Sequence, residues 1–293
     1  MFKLGIKAFS ILFILSFIFL IGCASQQKVI QPISEKQDLR YNFTSDQTLR
    51  YKTNNTLTQT MEVRGNKVTT EVEKEMEYSI VLIKQDIDKS MLEFTINFGS
   101  MNISQPGGDM KADLNNIIGK SFTMLVNEIG KESDFTNIEN ITYFLGPSEQ
   151  SIAQDFQSVF PDLPEMMVNV NDSWTAIDTI EVKSVTTAAN DLEIVTFSEY
   201  KLIAFEQFEG RNCVKINCIT SANLLITSTA QGMDFVTKVE LKGMETIYFD
   251  YENRMLVKVS AETSGNGSIT AMGEEKMIIP LEQKITSETV LVE

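Results

Sequence analysis

The chain has 293 residues, 40 acidic against 25 basic side chains for a formal charge of −15, and no histidine. The missing imidazole removes the commonest general base and the commonest metal ligand, so serine or cysteine catalysis relayed through histidine is excluded. The acidic balance argues against nucleic acid as a partner, and an apolar fraction of 43% suits a packed core rather than a disordered chain.

Lys3 and Lys7 precede an apolar run from Ala8 to Ile21. At about 14 residues this is the length of a signal-peptide core and is short of the roughly 18 to 20 that a spanning helix needs. The run ends in Leu20-Ile21-Gly22-Cys23, which resembles the lipobox of bacterial lipoproteins. The resemblance implies cleavage before Cys23 and a thioether-linked diacylglycerol on its sulfur, with acyl chains such as palmitate; in some lipoproteins of this kind the new amino group is acylated as well. Two or three acyl chains anchor a protein stably where one binds only marginally. The alternative, an uncleaved helical anchor, also tethers the domain outside the cytoplasm. Residues 1–22 therefore read as a lipoprotein signal peptide. Residues 23–40, polar and carrying Pro32, read as a lipidated tether at the cell envelope, and 41–293 as a single β-rich domain. Without Lys3 and Lys7 the formal charge becomes −17.

Strand signals dominate from Tyr41 onward. Between Val68 and Leu82, Val68, Thr70, Val72, Met76, Tyr78, Ile80 and Leu82 alternate with Glu71, Glu73, Glu75 and Glu77, and only Lys74 breaks the apolar side. Leu92, Phe94, Ile96 and Phe98 alternate in the same way and, after a turn over Gln85 to Lys89, are expected to close a hairpin. Two short helices are expected as well. One follows Gly107-Gly108-Asp109, carries Met110, Leu114, Ile117 and Ile118, and ends at Gly119. The other, over 148–160, starts at Ser148 after Pro147, carries Ile152, Phe156, Val159 and Phe160, and stops at Pro161.

The second half echoes the first. Asp46 to Tyr51 resembles Asp172 to Ile177, Glu77 to Leu82 resembles Glu199 to Ala204, and Gly119 to Glu128 resembles Gly243 to Glu252, at offsets of 126, 122 and 124 residues. These spacings suggest a duplicated β unit, with halves at about 41–145 and 165–293 joined by the 148–160 helix. The expected architecture is mainly β, a strongly curved antiparallel sheet, sandwich or half-barrel with two short helices.

Leu114 to Phe122 with Gly130 beyond it, Phe160-Pro161-Asp162-Leu163-Pro164, and Asn171-Asp172-Ser173-Trp174 together resemble an uncharacterised, domain-of-unknown-function family of bacterial secreted proteins and lipoproteins. The family usually carries Gly-Asp-Ser-Trp at the last motif. Asn171 tolerates the left-handed backbone that glycine would supply there. The motifs are turns and core positions, so the resemblance implies no catalytic residue.

Other constellations reduce to structure. Ser198 and Lys201 have the spacing of a penicillin-recognising motif but lie on opposite faces of an expected strand. Asp86 and Asp88 begin like a calcium loop and lack its later ligands. The glutamate row reads as a solvated face that also discourages edge pairing. Trp174 reads as a core anchor whose N–H meets a carbonyl. Cys213 and Cys218, five residues apart on a strand, face opposite ways, so a disulfide would need a bulge or turn.

The functional expectation is a non-catalytic envelope lipoprotein with no cofactor or metal, lipidated at Cys23. An apolar ligand or lipid would lie between the curved sheet and its helices, against Met76, Tyr78, Ile80, Phe94 and Ile96. The alternative is an envelope scaffold or protein-interaction module without a small ligand.

Overall fold

A computed structural model describes residues 36–145, 148–182, 190–230, 233–272 and 276–292. The signal segment, Cys23 and the tether up to residue 35 lie outside the described residues. Among those described, no helix is long and apolar enough to cross a membrane.

The protein is mainly β. Its strands are β1 (Thr48–Val63), β2 (Asn66–Gln85), β3 (Lys89–Ser104), β4 (Met110–Lys111), β5 (Ser121–Asn127), β6 (Glu132–Thr136), β7 (Thr142–Leu145), β8 (Ser148–Ser151), β9 (Ser173–Val182), β10 (Asn190–Phe208), β11 (Arg211–Ala230), β12 (Met233–Asp250), β13 (Met255–Met272) and β14 (Lys276–Leu291). One antiparallel sheet runs in the order β6-β5-β3-β2-β1-β14-β13-β12-β11-β10-β9, with β4 beside β3, while β7 and β8 form a separate hairpin. Each half is a meander of neighbours in sequence, and the halves meet where β1 pairs with β14. That ladder runs from Tyr51–Leu291 to Met61–Leu281 and ends beside Pro280, which has no N–H to contribute.

The glutamate-bearing strand forms as its alternation requires, extended to 20 residues. It pairs with β3 through Tyr78–Ile96, Ile80–Phe94 and Leu82–Leu92, with bulges after Glu77 and Leu82. Met76, Tyr78 and Ile80 are buried and the glutamates lie on the other face.

Neither expected helix forms. Met110 and Lys111 pair with Ile103 and Asn102 as a short strand, and Leu114 to Gly119 is a turn that buries Leu114 and Ile117 while Met110 and Ile118 remain exposed. Ser148 to Ser151 pairs with β7, and the chain then makes a single 3-10 turn, Ala153–Phe156. A segment this short is marginal as an isolated helix. Here an irregular strap buries Ile152, Phe156 and Phe160 together, so tertiary burial replaces the helical ladder.

The core lies at one end of the long strands. Leu39, Tyr41 and Phe43, the strap residues Ile152, Phe156, Phe160 and Leu163, and the facing positions of both meanders form one cluster. Phe156 sets its ring edge-on to Tyr78, Phe94 and Phe122 at centroid distances of 5.2, 5.9 and 4.8 Å.

The sheet is not closed. Among the described residues no ladder joins its two edges, β6 and β9, but side chains span the gap. Lys131 Nζ, just before β6, lies 2.6 Å from Asp178 Oδ1 on β9 and 2.6 Å from Asp162 Oδ2. The backbone N–H groups of Ser158 and Phe160 donate to the two oxygens of Glu132 at 2.8 and 2.9 Å. Trp174 Nε1 donates to the Asp162 carbonyl at 2.9 Å. Residues 158–163 are thus wedged between the edge strands and hydrogen-bonded to both sides.

Candidate functional site

Met76, Tyr78, Ile80, Phe94 and Ile96 come together on adjacent strands, all five buried. The space over them is filled by the chain's own Phe156 and Phe160. Lys74, on the same face, reaches Asp155 of the strap at 2.5 Å and lies under the Tyr143 ring. Burial works against its ammonium, but Asp155 and Tyr143 outweigh that and hold its pKa above the usual value.

Cys213 and Cys218 are buried, free and on opposite faces of β11. Desolvation pushes both thiols up to about 12, aided by Asp250 near the first and Glu245 near the second. Such thiols are inert. Asn171 adopts the left-handed conformation, φ 75°, at the turn before β9.

Trp174 is half-buried, and two open grooves flank it. Its indole stacks on Tyr200 of β10 at 5.4 Å, with planes 8° apart. The first groove, about 650 Å³, runs along the β9 edge between Lys36, Ile129, Met166, Met167 and Ile177. The second, about 680 Å³, lies across β9 to β12 on the face away from the core, lined by Glu199, Lys201, Ile203, Ile219, Met244 and Thr246. It continues across β13, β14 and β1 through Glu262, Thr286 and Thr56, sharing Met244 and Thr246.

Strand register explains this second groove. Thr175 faces Glu199, which faces Ile219, then Met244, Glu262, Thr286 and Thr56, each directly opposite the next. In the middle of this otherwise polar row Ile219 is 58% and Met244 70% exposed, flanked by two carboxylates. One row further, Ile177 and Phe197 form another exposed apolar cross-strand pair. Alternation carries the signal for Ile219: Cys218 and Ile219 are consecutive apolar residues in a strand, so one must face away from the core. Met244 cannot be found in this way, because its position opposite Ile219 depends on register.

Neither the family models nor the curated proteins compared with the chain match it.

Proposed function

We infer that this chain is a lipid-anchored, non-catalytic cell-envelope protein whose folded domain is an interaction module. The observation that carries the reading is the contrast between the two faces of the sheet. The inner face, where an apolar ligand was expected against Met76 to Ile96, is filled by Phe156 and Phe160, so a ligand there would have to displace two buried rings. The outer face presents Ile219 and Met244 to solvent between Glu199 and Glu262. An apolar centre with an acidic rim suits a protein surface that offers an apolar side chain flanked by basic ones.

The anchor belongs to the same proposal and rests on Leu20 to Cys23; membership of the lipoprotein family that the chain resembles belongs to it as well and rests on Leu114 to Phe122, Phe160 to Pro164 and Asn171 to Trp174. We read the sheet as a strongly curved half-barrel, supported by the Lys131–Asp178 contact between its edges. We read its halves as copies of one unit, supported by where the matched segments fall: on β1, β2 and β5 of one meander and on β9, β10 and β12 of the other.

The test is a photo-crosslinking amino acid at position 219 in the full chain, activated in intact host cells. A discrete protein adduct that disappears with Met244→Asp supports the interaction module. A folded, membrane-associated protein that yields no adduct overturns it.

A further inference from the structure

The first groove beside Trp174 ends in a loop whose design has no counterpart in the core. Met166 and Met167 are 72% and 52% exposed, yet the backbone that carries them is held on both sides. Gln37 and Val168 exchange backbone hydrogen bonds at 2.7 and 2.9 Å. Arg40 donates to the Pro164 and Glu165 carbonyls at 2.7 and 2.8 Å. Adjacent exposed methionines on a pinned loop present apolar surface at little further cost in ordering. Ile177, also exposed, lines the same groove.

The position of the loop indicates its partner. The antiparallel Gln37–Val168 bridge sets the chain's exit next to this loop, with Lys36 leaving on the Asn169 side and lying 3.7 Å from Asp172. Only residues 24–35 separate Lys36 from Cys23, and at about 3.4 Å per residue even a fully extended tether reaches no more than about 45 Å. A lipidated Cys23 therefore keeps Lys36, which lines the same groove as Met166 and Met167, within about 45 Å of the bilayer. Methionine suits such a surface, because its flexible thioether adapts to irregular apolar surroundings.

We propose that Met166, Met167 and Ile177 form a second membrane contact, dipping into the lipid beside the tether and fixing the orientation of the domain on the bilayer. The proposal rests on the lipoprotein reading of Cys23. With a mature charge of −17, the contact is apolar rather than electrostatic, so the lipid surface it takes is zwitterionic and added salt does not release it.

The experiment uses the full lipidated chain, purified in detergent and reconstituted into phosphatidylcholine vesicles with brominated acyl chains. An environment-sensitive thiol probe is placed at Met166→Cys or, as a control, at Lys67→Cys near the β1–β2 hairpin tip, at the far end of β1. The buried Cys213 and Cys218 do not compete for the label. The expected result is quenching several-fold stronger at position 166 than at 67, reduced to the control level when Met167→Asp and Ile177→Asp are added. Equal quenching at 166 and 67 in protein that floats with the vesicles and carries acyl groups on Cys23 by mass spectrometry overturns the second contact and leaves the anchor standing. Protein that neither floats nor carries acyl groups overturns both.

Discussion

Lys74, the single charged residue on the core side of β2, places its ammonium 2.5 Å from the carboxylate of Asp155 in the strap that crosses the sheet. Both side chains are largely buried, so the pair ties the strap to the sheet at a place where either partner alone would be an uncompensated charge. Lys74→Ala is expected to cost about 3 kcal/mol in a urea titration at pH 7. Lys74→Met combined with Asp155→Leu is expected to recover most of that, and the double-mutant cycle gives the coupling. The Lys74 pKa is raised, so its contribution is complete below the ordinary lysine value and is lost as pH rises through the folded one.

Phe156 joins three other aromatic rings under the strap and is almost fully buried. Phe156→Ala is expected to cost about 4 kcal/mol through lost transfer energy and the remaining cavity, measured as a fall in the denaturation midpoint.

Gly130 has φ +93°, and a Cβ there would sit 2.7 Å from the Pro161 carbonyl and 2.8 Å from the Tyr41 ring. Gly130→Ala is expected to destabilise the fold by about 3 kcal/mol, combining backbone strain with overpacking. Gly65→Ala, at φ +79° in open space, is expected to cost about 1 kcal/mol from strain alone. Thermal midpoints of the two variants separate the two contributions.

The edge gap makes stability depend on pH. Desolvation raises Glu132 to about 8 against the hydrogen bonds from Phe160 and Ser158. Desolvation also raises Asp162 to about 6 against Lys131, with Asp178 adding to the rise. A carboxyl with a raised folded pKa binds its proton more tightly in the native state, so its contribution falls as pH rises from the unfolded value to the folded one. The thermal midpoint is therefore expected to drop between about pH 4 and pH 8. Glu132→Gln should flatten the upper part of that fall and Asp162→Asn the lower part.

Thiol counting separates the cysteines. Cys213 and Cys218 are buried with thiols raised to about 12, so neither is expected to react with a disulfide reagent at pH 8 in the folded protein. In denaturant, two thiols are expected from a chain whose Cys23 sulfur is in thioether linkage, and three from one whose Cys23 is free.

Alternation in the sequence determined the β2–β3 hairpin. The pattern from Val68 to Leu82 and the apolar run from Leu92 to Ile96 specify two strands, their inward faces and their pairing, because side chains on a strand alternate with a period of two; Phe98, expected on the same face, instead stands exposed opposite Glu77, because the bulge after Glu77 shifts the register. Asn171 was legible for a similar reason, since a left-handed turn is a local property of the backbone. Where burial was won by an irregular segment, local pattern misled. Ile152, Phe156 and Phe160 have helical spacing, yet they reach the core from a strand end, a 3-10 turn and a loop, because the aromatic pocket rewards their burial more than a short isolated helix rewards its hydrogen bonds. The same packing filled the space in which Met76, Tyr78, Ile80, Phe94 and Ile96 were expected to meet a ligand. Lys74 looked like a flaw until Asp155, 81 residues later, neutralised it. The row that sets Met244 beside Ile219, and the Lys131–Asp178 contact that joins the sheet edges, depend on the register and order of strands remote in sequence. Such long-range pairings are decided by the tertiary structure, because only there do distant strands share one surface.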